Sequence, residues 1–266
     1  SNKKILVIGD PILDILEFVK TNGKANKSNV ISTAHLNQEM THGGILLVLK
    51  LLSQFYQKID FLFIGNKNKL KFLKKIIPKV KIKNIHSNIR IIEKCRYIDN
   101  YSHQKLFQNN FHEEDDIEKK TETLAIDFIK KNHNKYSEII IFDFGYVLKN
   151  EKLVKTLNLI KKKKITINCQ SNSFNFGYNK INKIKNANIL GMDENEFRLF
   201  VSDKSKDLGL LIKKNKKKFK NYNYVFITAG KFGSYTIKKG SQIYHSPTVF
   251  NENIIDSTGA GDVFLT

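Results

Sequence analysis

The sequence predicts an α/β fold: a mainly parallel sheet with helices on both faces, plus a small β-sheet lid beside it. Three observations carry this expectation. Short apolar runs that read as buried strands alternate with helical patterns over much of the chain, as β–α–β units do. Two segments, about 16–38 and 89–111, break that rhythm and alternate apolar with polar residues, as half-exposed strands do. The 266 residues carry no internal repeat, no low-complexity linker and only three prolines, so residues 3–266 read as one domain with an inserted lid.

Lys4-Ile5-Leu6-Val7-Ile8-Gly9-Asp10 is a continuous apolar run closed by Gly-Asp, the look of a strand buried on both faces. Pro11-Ile12-Leu13-Asp14 follows at its carboxyl end, where open α/β sheets place ligand groups. Asp14 is therefore a candidate binding carboxylate, although a turn or cap carboxylate fits the pattern equally well. Leu16–Val19 and Val30–Ala34 are short β-prone pieces around a polar Asn/Lys/Gly turn. Ile91–Ile98 and Leu106-Phe107 form the second excursion, and the two are expected to pair into the lid.

Gly43-Gly44 opens an apolar helix running through Phe55. Ile59–Ile64 reads as a strand, Lys69–Ile77 as a helix ahead of Pro78, and Val80–Ile85 as a strand. Glu113–Asn132 is a long helix whose acidic start suits the helix dipole better than a metal. The remaining strands are Glu138–Phe142, Ile165–Asn168, Ala187–Leu190 and Val225–Ile227. Helices are expected over Glu151–Lys161, Glu194–Phe200 and Leu208–Lys218, and a hairpin joins Ser234–Ile237 to Gln242–His245.

Asp256-Ser257-Thr258-Gly259-Ala260-Gly261-Asp262 follows apolar Ile254-Ile255 and leads into Val263-Phe264-Leu265, so it reads as a turn opening a buried helix. Gly259 and Gly261 leave backbone N–H groups uncovered where a helix start has no carbonyl to satisfy them. That makes an anion cradle. Asp262 sits inside the first turn, where the dipole favours its carboxylate. A phosphate cradle beside a placed carboxylate suits phosphoryl transfer. A short Gly pair alone is also what a plain capping turn looks like, with Ser257 or Thr258 as N-cap.

The formal net charge is +21, and all but three of the 46 cationic residues are lysine, the arginines being Arg90, Arg96 and Arg198. Nucleic-acid sites recruit arginine forks and stacked aromatics as well as lysine. Dispersed lysine reads instead as a solvated surface, with no specific nucleic-acid partner. No apolar run is long enough to span a bilayer, so no membrane partner is expected. Cys95 and Cys169 lack disulfide or zinc spacing, and a cytoplasmic location is the expectation. Ser1-Asn2 read as an added remnant.

The seven-residue string Asp256–Asp262 resembles the signature of the ribokinase/PfkB carbohydrate kinases. Ile8-Gly9-Asp10 with Asp14 is similar to that family's first strand and sugar-binding aspartate, and Gly43-Gly44 to its paired glycines. Thr228-Ala229-Gly230-Lys231-Phe232-Gly233 looks like its nucleotide-side loop. Glu93-Lys94-Cys95-Arg96-Tyr97-Ile98-Asp99, Gln104-Lys105-Leu106-Phe107 and Phe142-Asp143-Phe144-Gly145 look most like the bacterial heptose-phosphate kinases, whose kinase domains are often joined to a nucleotidyltransferase.

The resemblance implies a ribokinase-like fold and ATP-dependent phosphorylation of a sugar or sugar phosphate. In that role Asp262 is the general base, and Gly259, Ala260 and Gly261 hold the transferring phosphoryl group. Asp14, Gly43 and Gly44 seat the sugar, with Lys94, Arg96 and Asp143 as further contributors. Thr228, Gly230, Gly233 and Asp256 fall on the nucleotide side. Asp193 and Glu196 occupy the family's metal-proximal motif. ATP, Mg2+ and a monovalent cation are the implied cofactors. A homodimer through the lid is expected on other grounds, because a free four-stranded sheet leaves apolar Ile, Phe and Tyr side chains on one face that a second copy would cover.

Three departures and one boundary stand against the pattern. Leu47 replaces an asparagine three residues past the Gly pair, and Asp193 replaces the asparagine of Asn-x-x-Glu. Asn168-Cys169-Gln170 replaces Asp-Pro-Lys. The family normally continues for several helices beyond the point reached at Thr266, which implies a domain truncated at its C-terminal side. A kinase-fold module that binds sugar phosphate without turnover is the alternative reading.

Overall fold

The computed structural model describes residues 3–112, 117–160, 164–171, 175, 177–249 and 259–266. β1 (Lys4–Gly9) lies at the heart of a nine-stranded sheet. β4 (Lys58–Gly65) and β5 (Lys81–His86) extend this sheet on one side. On the other side come β8 (Glu138–Asp143), β9 (Lys164–Cys169), β10 (Ile189–Asp193) and β11 (Tyr224–Thr228). These seven strands pair in parallel. β12 (Ser234–Lys238) and β13 (Gln242–Ser246) close the edge as an antiparallel hairpin.

The continuous apolar strands have two cores to fill, one on each face. Leu6 and Ile8 of β1 join the core under α3 (Lys119–Asn132), α4 (Glu151–Leu159), α5 (Glu194–Val201) and α6 (Leu208–Asn215). Ile5 and Val7 alternate into the core under α1 (Ile45–Phe55) and α2 (Leu70–Ile76). This two-residue alternation between helical layers is what a parallel sheet covered on both faces requires. Each fully buried Leu or Phe contributes about 1.5–3 kcal/mol, and Phe61, Phe142 and Phe197 are among those with no exposed surface.

A second sheet of four strands is ordered β3-β2-β6-β7: β2 is Pro11–Lys24, β3 Ile31–Gly44, β6 Ile92–Asp99 and β7 Lys105–Phe111. The two excursions expected to meet do so through the parallel pairing of β2 with β6. β2 and β3 are much longer than the β-prone pieces in the sequence. Their outer stretches are rich in Thr, His, Asn and Gln, which carry little strand signal, and the ladder between them supplies the order instead. Pro11-Ile12-Leu13-Asp14 is therefore the opening of a strand rather than a loop, and Pro11 takes the first position, where its missing N–H costs least.

Other boundaries shift modestly. α3 is described from Lys119, and the acidic residues 113–116 lie outside the described part. β10 runs to Asp193, which then caps α5. The expected helix 208–218 tightens into a 3-10 turn at Lys216–Phe219. Among the described residues no helix is long and apolar enough to cross a membrane, and Cys95 and Cys169 are buried free thiols.

The joint between the sheets is one residue long. β1 ends at Gly9 and β2 starts at Pro11, with Asp10 between. The chain returns from the small sheet at Gly44, whose φ of 54° suits glycine, and Ile45 N–H donates to Asp10 O at 3.3 Å. A Cβ on Gly44 would stand 2.9 Å from that same oxygen and from Ile12. Gly44→Ala is expected to lower unfolding stability by about 1–3 kcal/mol, read as a lower urea midpoint at unchanged slope.

Candidate active site

A cleft of about 830 Å3 lies between the carboxyl ends of β9, β10 and β11 and one face of the small sheet. Open parallel sheets place ligands at that edge because the strand ends leave polar backbone exposed there. Asp14, Gly43, Gly44, Lys94, Arg96, Asp193, Glu196, Thr228, Gly230, Gly233 and the run Gly259–Asp262 all line it. Residues far apart in sequence thus converge on one cavity.

Strand alternation explains the small sheet's contribution. Asp14 of β2 pairs with Lys94 of β6, Arg96 lies two positions on, and Gly43 of β3 pairs with Ile12. All five fall on one face, the cleft face. Arg96 Nη1 donates to Asp14 Oδ1 at 2.5 Å, both side chains being largely buried. Gly43 leaves room for the Asp14 carboxylate, because a Cβ there would collide with Oδ2. Burial pushes the Lys94 ammonium down, Asp14 draws it back up, Arg96 lowers it and Asp262 raises it.

The opposite wall is α7 (Ala260–Phe264), a short helix with Gly259 as N-cap at φ 81°. The expected caps Ser257 and Thr258, like Asp256, lie outside the described residues. Gly261 faces open space and a Cβ on Gly259 would meet only Leu47 at 3.0 Å, so the glycine run stays uncovered on the cleft side. Leu47, at the position where the family pattern has asparagine, packs on this turn rather than offering a hydrogen bond. Asp262 is 5% exposed. Burial raises its carboxyl to about 7; a hydrogen bond from Gln170 and the Lys94 charge pull it down, and Asp14 pushes it up.

At the third side, Asp193 caps α5. Its Oδ1 accepts Glu196 N–H at 2.7 Å, and Glu196 Oε2 accepts Asp193 N–H at 2.8 Å, a reciprocal capping box. Glu196 Oε1 also accepts Ser171 N–H at 2.8 Å. Burial, with Asp193 alongside, raises Glu196 to about 8. Among the described residues no three His, Cys, Asp or Glu side chains gather closely enough to hold a metal directly. With both Glu196 oxygens engaged, this pair suits a hydrated magnesium ion approached through water, which is how magnesium commonly sits beside phosphates. Thr228 ends β11, and Gly230 and Gly233 bound the 3-10 turn that follows. No side chain overhangs Gly230, which leaves space for a nucleotide.

Asp143 is the exception. It is 1% exposed and does not line the cleft. It pairs with Lys183 Nζ at 2.6 Å and accepts from Gly145 N–H and the Cys169 thiol, an internal knot beneath the site. As the last residue of β8 it is enclosed by these partners and is not part of the cleft wall. Conversely, Gln170 and Asn168 stand in the cleft wall although the sequence marked them only as departures from a pattern. Their place one strand-end along from Asp143 was the available signal.

The Arg96–Asp14 pair is largely buried. Removing one partner of a buried pair strands the other's charge, typically costing about 3–5 kcal/mol. Arg96→Met is expected to approach that loss in urea unfolding. Asp14→Asn with Arg96→Met should recover part of it.

Comparison with known proteins shows the family and the fold. The model of the pfkB family of carbohydrate kinases matches residues 80–265. The bifunctional protein HldE of Aliarcobacter butzleri is 25% identical over 269 residues, covering 98% of this chain; the chain spans 54% of that protein. Ribokinase from Thermotoga maritima superposes with a TM-score of 0.67 at 16% identity, covering 98% of this chain and 83% of its own. Arabidopsis thaliana ribokinase, solved with ribose and ATP, gives 0.65 at 12% identity, covering 99% and 84%. These structures share the ribokinase-like fold. With the family model matching well over half its length, the chain belongs to the pfkB family of carbohydrate kinases.

Proposed function

We propose that this chain transfers the terminal phosphoryl group of ATP to a hydroxyl of a sugar phosphate of the heptose-phosphate kind, with Asp262 as the general base. One observation carries the reading. A buried carboxylate, held near neutrality, shares a cleft wall with an uncovered glycine run and faces a carboxylate–arginine–lysine set on the small sheet. Family membership supports the carbohydrate kinase activity, and the Glu93–Asp99 pattern supports the heptose-phosphate acceptor. Lys94 and Arg96 favour an acceptor that is itself anionic.

Asp14 orients the sugar by accepting from its hydroxyls, and the glycines at 43 and 44 let the ring come close to backbone. The amides of Gly259–Gly261 neutralise charge at the transferring group. Asp262 takes the acceptor's proton as the new bond forms. ATP would supply the phosphoryl group and magnesium would screen its charge; Asp193 and Glu196 would hold the ion through water, and Thr228, Gly230 and Gly233 would meet the nucleotide, a role the resemblance also gives Asp256, outside the described residues. A monovalent cation belongs to the same reading, with no described residue assigned to it. The competing reading, a sugar-phosphate-binding module without turnover, draws on Leu47, which replaces a hydrogen-bonding side chain beside Gly259.

The small sheet's other face supports a homodimer. Met40, Phe107 and Phe111 are 46%, 50% and 45% exposed, and Tyr97 stacks on Phe107 at 4.3 Å. Two such faces pressed together would remove this apolar surface from water. Sedimentation is expected to show a dimer that Phe107→Glu dissociates; a strict monomer at high concentration would refute it.

For the reaction, Asp262→Asn is expected to cut turnover by about 10²–10⁴ with nucleotide affinity nearly unchanged. Because the base works only when deprotonated, turnover should rise with pH through about 7, where burial places Asp262. The assay uses ATP and a panel of heptose, hexose and pentose phosphates. Full activity in Asp262→Asn would remove the base assignment, and a panel with no phosphorylated product would favour the non-catalytic module.

A further inference from the structure

We propose that Gln170 is the positioning residue of the base: its side-chain amide commits one oxygen of Asp262 and reserves the other for the acceptor's proton. The inference rests on Asp262 acting as the base in the reaction proposed above. It concerns a residue that stands where the family pattern has a lysine.

Gln170 Nε2 donates to Asp262 Oδ1 across 92 positions of sequence. The donor is itself fixed. Gln170 N–H donates to Asp143 O at 2.8 Å, and Gln170 O accepts Asn179 Nδ2 at 3.0 Å. The next residue, Ser171, is tied through its N–H to Glu196 Oε1 at 2.8 Å. The backbone just past β9 is thus pinned on three sides, so the side chain leaves it from a set position. Asp262, in contrast, sits on a five-residue helix with little length of its own to hold it. Orientation must come across the cleft wall, and Gln170 provides it.

The chemistry of the donor matters. Lys94 reaches toward Asp262 from β6, Asp14 from β2 (already bound by Arg96) and Glu196 from α5. Burial and Asp14 favour the protonated acid; Lys94 and the Gln170 hydrogen bond favour the carboxylate. A neutral amide orients the base and stabilises its charged form without adding a full positive charge. The carboxylate keeps enough basicity to take a proton near neutral pH. A lysine here would hold the same oxygen but make the base weaker.

The test is a carboxyl carbon-13 NMR titration of aspartate-labelled protein, with the Asp262 signal identified by its disappearance in Asp262→Asn. Gln170→Leu should raise the Asp262 midpoint by about one pH unit, the scale of one hydrogen bond to a charged group. Gln170→Lys should move it down. In assays with ATP and a heptose phosphate, Gln170→Leu should lower kcat about fivefold at pH 7, with KM little changed and much of the loss recovered near pH 9. A midpoint that is the same in all three proteins, or a kcat loss independent of pH, would overturn the inference. If Gln170→Leu does not fold, the direction of the Gln170→Lys shift decides alone. Failure of the base assignment reads differently: Asp262→Asn would keep its turnover while the titration still reported on Gln170.

Discussion

The joint at Asp10 is the constraint on which the two-body arrangement depends. This residue is 2% exposed, and its carboxylate accepts N–H groups from Phe144, Tyr146 and Val147, while its carbonyl accepts from Ile45. It therefore ties together the end of β1, the loop after β8 and the start of α1, with the small sheet springing from the next residue. Burial, with Asp143 nearby, raises its carboxyl to about 7. Three backbone donors oppose that shift, and no hydrophobic residue could satisfy them.

From this joint the division of labour follows. The large sheet and its neighbouring turns present backbone amides and carboxylates in fixed positions. The small sheet presents long charged side chains on a ladder whose register is set close to the joint. Gly44 makes the return possible and Gly43 makes room for Asp14, so two adjacent glycines serve two unrelated steric needs. The glycine run before Asp262 and the Asp14–Lys94–Arg96 set consequently arrive at one cleft from separate sheets.

Much of this was legible in the sequence because it depends on local chemistry. Continuous apolar runs such as Ile5–Ile8 and Ile139–Phe142 read as doubly covered strands, and the glycines of Gly259–Asp262 mark the turn that opens α7. The length of β2 and β3 was not legible, since polar residues such as Asn37, Gln38 and Thr41 are held by cross-strand pairing, which leaves no periodic trace. The surroundings of Asp143 were not legible for a related reason. A carboxylate at a strand end looks the same whether it meets a ligand or an internal lysine, and only Lys183, forty residues away, decides. Gln170 was hidden because its importance lies in a contact with a residue 92 positions later.

The small sheet carries its irregularities in a telling place. The breaks in register fall between Phe18 and Val19 and between Thr21 and Gly23 against β3, and between Tyr97 and Ile98 against β7, outward of Asp14, Lys94 and Arg96. Insertions and deletions at that distal end leave the register of Asp14, Lys94 and Arg96 on the cleft face unchanged. Between Pro11 and Leu16 the situation reverses. One residue gained or lost there would turn the strand over, presenting Leu13 and Ile15 to the cleft and burying Asp14 in the opposite apolar face. The family's freedom to drift in length should therefore be graded along this ribbon, wide at its tip and nearly absent at its root.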